Sequence, residues 1–158
     1  MTQTAVDLGT DAQAAICEAL NQSVAETVVA TMLAQNFHWN VKGMSFGPLH
    51  ALFQEIYEDH FPAQDDLAER VRALKGHADG VLAQMIERSK VEEYPNSATA
   101  SAKDMIAALC AAQETLAATL AGAGELAAEH GDTLTEDLCI ARGQVHEKFA
   151  WILRSHLE

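Results

Sequence analysis

NFHWNVKGMSFGPLHALFQEIYEDHFPAQDDLAERVRALKG, residues 36–76, carries His38, His50, Gln54, Asp65 and Glu69 at helical spacing in a chain otherwise dominated by Ala and Leu. A hydrophobic core has no use for such groups, whereas metal ions bind them. Residues four apart share one face of a helix, so His50 with Gln54, and Asp65 with Glu69, can each aim at one ion. Histidine plus carboxylate, without cysteine, suits non-haem iron, zinc or manganese.

One chain cannot bring all of these groups to one ion. His50 and Asp65 stand 15 residues apart on one helix, roughly 22 Å at 1.5 Å per residue. Bonds from a metal to His or carboxylate are only about 2 Å long. Two copies of the helix, antiparallel about a two-fold axis near residues 57–61, would set His50 of one beside Asp65 of the other. The spacing therefore predicts a metal site shared between subunits, two per dimer. A dinuclear centre inside one bundle would need Glu-x-x-His pairs, and the sequence has none. The zinc motif His-Glu-x-x-His is also absent, because His146-Glu147 is followed by Ala150 where the second His should stand.

Around this stretch the pattern is helical. Ile16, Leu20, Val24, Val28 and Met32 step by four, with Leu33 and Phe37 alongside, predicting a helix from Asp11, its expected cap, to Trp39 or Asn40. Gly43 lies just past its end. Pro48 suits the first turn of a second helix that runs to about Gly76, kinked at Pro62. A short helix is expected over residues 81–88, then a turn at Pro95-Asn96. A third long helix starts near Ala102, with Met105, Ile106, Leu109, Leu116 and Leu120 on one stripe and Gly122 and Gly124 weakening its end. After EHGDT, Thr133 and Glu136 have capping-box spacing for a last helix. The reading is all-α: one four-helix bundle over residues 11–158 with an extra short helix between the second and third, and residues 1–10 a flexible arm.

Composition narrows function. The net charge is −13, and the first Lys or Arg is Lys42. Such a surface attracts cations and repels phosphate backbones, although acidity also serves solubility alone. No run of 18 apolar residues suggests a membrane span, and the N-terminus lacks a secretion signal. Three cysteines without CxxC spacing (Cys17, Cys110, Cys139) read as buried, reduced side chains. These features together predict a cytoplasmic protein.

FHWNVKG, a His twelve residues after the first, and DDLAERVRALKG resemble the signature of the Dps family, small ferritin-like proteins of starved and stressed bacteria. HEKFAWILRSHLE resembles that family's last helix, and the likeness extends from about residue 12 to 158. The resemblance implies a ferritin-like subunit, a hollow dodecamer, and a ferroxidase site at the two-fold interface. That site would oxidise Fe(II), preferably with hydrogen peroxide, and the shell would store the ferric mineral. Carried over by position, His38, His50, Asp65 and Glu69 match the iron ligands. Position 54 is commonly acidic in the family; Gln54 is neutral and a weaker ligand. Trp39 matches an aromatic near the site, able to take up oxidising equivalents. Asp132 matches a position that in some members lines an acidic three-fold pore, with an ordinary loop acid as the alternative. Some members bind DNA through basic termini, which this chain lacks. DNA compaction, and a bundle scaffold with an inert or zinc-filled site, stay open as other readings.

The remaining polar groups carry plainer expectations. Asp66 and Arg70 are expected to form a local ion pair. His60, His77, His130, His146 and His156 are expected at the surface or an interface, and Phe53 and Tyr57 in interface packing. The methionines are expected as core or loop filler.

Overall fold

The computed structural model describes residues 7–158. The expected arm, residues 1–10, lies outside them except for Asp7–Gly9, and Thr10 already belongs to the first helix. Helix α1 spans Thr10–Asn40, α2 Phe46–Ala73, α3 Leu82–Arg88, α4 Ala102–Glu129 and α5 Thr133–Ser155, with a 3-10 turn at Ser97–Thr99. The four long helices and the short α3 match the element order read from the sequence. The bundle is two helical hairpins, α1 with α2 and α4 with α5, joined along α1 and α4, while α3 packs on α1.

Two apolar clusters fill it. Leu33, Phe37, Leu49, Phe53, Ile56, Met105, Leu109, Leu116, Phe149 and Leu153 form one. Ile16, Leu20, Leu67, Val71, Met85, Leu120 and Cys139 form the other. Phe53, expected in interface packing, is fully buried inside the subunit, while Tyr57 is only half-buried. Met85 and Met105 are core residues; Met32 and Met44 are exposed. Helix α4 is apolar and long enough to cross a membrane, but its Met105–Leu109–Leu116–Leu120 stripe is packed in the bundle core. All three cysteines are free and buried, as expected, and burial pushes the Cys139 thiol up to about 11, which keeps it protonated and unreactive.

Several helix ends differ from expectation. Gly9, not Asp11, precedes α1; Asp11 sits in the first turn, where its charge meets the helix dipole. The Thr133–Glu136 capping box does not form. Asp132 caps α5 by accepting from the Thr135 amide at 3.2 Å, and Thr133 is already helical. A true capping box instead starts α4, with Asp104 N–H donating to Ser101 Oγ at 3.1 Å and Ser101 N–H to Asp104 Oδ2 at 2.9 Å.

Helix α2 passes through Pro62 without a break. Pro62 is exposed, so water can reach the Glu58 carbonyl that loses its helical partner. At its end, Lys75 adopts a positive φ of 66°. Gly76 N–H donates to Val71 O at 2.9 Å and Lys75 N–H to Arg72 O at 2.9 Å, the paired bonds of a Schellman ending. Gly76 is there for closeness rather than backbone freedom. A Cβ on it would lie 2.5 Å from Cys17 Sγ of α1.

Candidate metal centre

His38 lies in the last turn of α1 and His50 in the second turn of α2, so the Val41–Ser45 connection folds them together. Gly43, at φ 106°, and the Phe46 N–H to Gly43 O bond make that turn. The two imidazoles stack with centroids 3.7 Å apart and planes 17° from parallel. Each ring is tied to the other residue's backbone: His38 Nδ1–H donates to His50 O at 2.7 Å, and His50 Nδ1–H donates to His38 O at 2.8 Å. The His38 carbonyl belongs to the last turn of α1, whose carbonyls lack helical partners, so the bond also finishes that helix. With Nδ1 as donor in both rings, the lone pair falls on Nε2. A carbonyl that orients the imidazole in this way is what metal-ligating histidines use. Phe46 stacks on His50 at 4.9 Å and the Tyr57 ring stands edge-on to His38 at 5.2 Å, so the pair sits in an aromatic setting.

The other expected site residues lie apart from this pair. Gln54, one turn beyond His50, donates from its amide to Glu58 Oε1 at 2.6 Å. Asp65 and Glu69 are exposed, one turn apart, and further along α2 than His50. Among the described residues, no three His, Cys, Asp or Glu side chains converge as a metal site within one chain. Trp39 is 60 % exposed beside His38.

Asp66 does not pair with Arg70. The guanidinium of Arg70 binds Asp132 Oδ1 at 2.8 Å and Thr135 Oγ1 at 2.8 Å instead. Asp132 is therefore not an exposed loop acid: it is buried, and its carboxylate holds Thr135 and Arg70 together at the start of α5.

His60 and His146, expected at the surface or an interface, are fully buried between α2, α4 and α5 within the subunit. Their sequence positions carried the signal. His60 falls on the stripe Ile56, Ala63, Leu67, and His146 on the stripe Cys139, Phe149, Leu153. His77, His130 and His156 are exposed, as expected.

A bundle of two hairpins with a short helix in the connection between them is the ferritin-like architecture, and the family model for the ferritin-like domain matches residues 17–158. The chain is 34% identical over 149 residues to a DNA protection during starvation protein of Brevibacillus brevis, covering 94% of this chain and 99% of that one. Dps from Staphylococcus aureus superposes with a TM-score of 0.86 at 35% identity, over 90% of this chain and 95% of that one. The Dps protein of Vibrio cholerae O1, described as a member of a broad superfamily of ferritin-like diiron-carboxylate proteins, superposes at 0.90 with 26% identity, over 100% and 97% of the two chains. Within the ferritin-like class, this chain belongs to the Dps family.

Proposed function

We propose that this protein oxidises Fe(II) with hydrogen peroxide and stores the ferric product in a hollow homo-oligomer, as a cytoplasmic defence against oxidative stress. The observation that carries the reading is the reciprocal locking of His38 and His50, which leaves two oriented Nε2 lone pairs, with an exposed carboxylate pair further along α2. His38 and His50 of one subunit would hold the iron together with Asp65 and Glu69 of its two-fold neighbour. This donor set of imidazole and carboxylate fits iron, and also zinc. Phe61, exposed at 71 % between the two halves of the ligand set, together with Met32, Leu82 and Ile86, gives an apolar face for that neighbour to cover.

In this reading Fe(II) arrives as substrate, drawn by the negative charge of the protein. Peroxide accepts one electron from each of two Fe(II) ions and, with two protons from solvent, is reduced to two waters. Trp39 stands ready to take up stray oxidising equivalents before they reach solvent. We propose no pore role for Asp132, because its carboxylate is engaged within the subunit. A dodecamer is the assembly that family membership supports.

A zinc-filled or inert site is the second reading, favoured by the neutral Gln54 in place of an acid. Metal analysis of protein purified without added metal, followed by iron loading, separates the two. The direct test adds Fe(II) and peroxide anaerobically and follows ferric absorbance. The Asp65→Ala, Glu69→Ala double variant is expected to lose the fast phase; oxidation at the parent's rate would remove these residues from the site.

A further inference from the structure

Five side chains close a ring of hydrogen bonds across the middle of the bundle. Arg142 of α5 donates to Asp59 of α2 twice, at 2.7 and 3.3 Å, and reaches His146 Nε2 at 3.4 Å. His146 Nδ1–H donates to Gln113 Oε1 of α4 at 2.8 Å. The Gln113 amide donates to His60 Nε2 at 2.9 Å, and His60 Nδ1–H donates to Asp59 Oδ2 at 3.0 Å, which returns to Arg142. Every contact then pairs one donor with one acceptor: Arg142 only donates, Asp59 only accepts, and His146, Gln113 and His60 relay one donor direction from the first to the second. His60, Gln113 and His146 have no exposed surface. Packing of α2 on α5 is sparse beside that within each hairpin, so the ring is a main tie between α2 and the α4–α5 pair.

We propose that this ring is a proton-sensitive clamp, holding α2 to α4 and α5 in one protonation state only, so that a proton taken up by either imidazole loosens the bundle. The donor inventory supplies the reason. A proton added at His60 Nε2 faces the Gln113 NH2 group. Turning the amide gives its oxygen to His60 but sets NH2 against the His146 Nδ1–H. Moving that proton to His146 Nε2 sets it against Arg142, which has only donors. No rearrangement of the five groups absorbs the extra proton, and a buried unmatched donor is costly.

Electrostatics agrees. Burial, with Arg142 adding to it and Asp59 opposing it, lowers His60 from its ordinary value; His146 is lowered to about 2 by burial, with His60 and Arg142 adding and Asp59 opposing. Gln113 is the only α4 group in the ring, and no charged group of α1 acts on either imidazole. Both histidines hold a proton less readily in the fold than in the unfolded chain, where they gain one below about pH 6.5. Their contribution is therefore flat above that pH and is lost as pH falls below it. Asp59 acts lower. Its carboxyl, held down by His60 and Arg142 against the opposing effect of burial, costs stability only below the ordinary carboxylate range.

The test unfolds the native full-length protein with guanidinium at constant protein concentration, in steps from pH 7.5 to 4.5. The two buried histidines make the parent's unfolding constant climb with acid by up to about a hundredfold per pH unit, about tenfold from each. The His60→Gln, His146→Gln variant is expected to lose that rise. Should it not fold, Gln113→Glu serves: a carboxylate between the rings accepts from both, admits a proton on His60, and flattens the climb by about tenfold per pH unit. A climb that is the same in the parent and in Gln113→Glu overturns the proposal, as does a parent whose stability is flat between pH 6.5 and 4.5.

Discussion

His38 and His50 each serve the other as an anchor, and the bond that fixes one ring is the mirror of the bond that fixes the second. That reciprocity depends on the turn at Gly43 as much as on the imidazoles, since neither carbonyl would be in reach without it. The i,i+4 spacing of His50 with Gln54 and of Asp65 with Glu69 was legible in the sequence because spacing on a helix is a local property. The apolar stripes of α2 and α5 carried a signal for the burial of His60 and His146, but what their polar atoms bind was not legible. Their shared partner Gln113 arrives from α4, and Asp59 beside His60 meets Arg142 near His146 only once α2 and α5 pack together. The same holds for Arg70, which passes over its neighbour Asp66 for Asp132, 62 residues away. At Gln54 the charge is missing where the site would use one. Gln54→Glu is expected to tighten anaerobic Fe(II) binding roughly tenfold, by about 1.4 kcal/mol, in calorimetric titration. Unchanged affinity would mean that position 54 does not face the iron.

At the scale of the element, helix existence and the approximate ends were readable, and the capping residues were not. The apolar stripes run for many turns, while a cap is decided by a single residue's backbone. Asp132 and Thr133 are both good caps, and only the fold chooses between them. Pro62 is tolerated because it lies on the exposed side of α2, a fact of tertiary placement. The end of α2 separates two roles that sequence alone merges. Lys75 takes the left-handed conformation, and Gly76 takes the close approach to Cys17. Lys75→Gly is thus expected to stabilise the subunit by about 1 kcal/mol in denaturant unfolding. Gly76→Ala is expected to destabilise it by roughly 1–3 kcal/mol through overpacking against α1. Equal and small effects at both positions would refute that division of roles.

For the whole molecule, one helix carries two incomplete half-sites. His50 and Asp65 stand 15 residues apart on the 28-residue α2, with the exposed Phe61 between them in sequence. Within one described chain nothing completes either half. Function in this reading is a property of the assembly, and the buried ring in the middle of each bundle keeps α2 in place against its hairpin neighbours. The central claim, that iron is held between subunits, has a direct test by complementation. A His38→Ala, His50→Ala chain and an Asp65→Ala, Glu69→Ala chain are co-assembled in equal amounts, and ferric absorbance is followed after adding Fe(II) and peroxide. Each variant alone is expected to be inactive. In the mixture, half of the dimers pair unlike chains, and each of these has one complete site, so the fast phase should return at about a quarter of the parent's amplitude. A mixture as inactive as its parts would contradict the shared site.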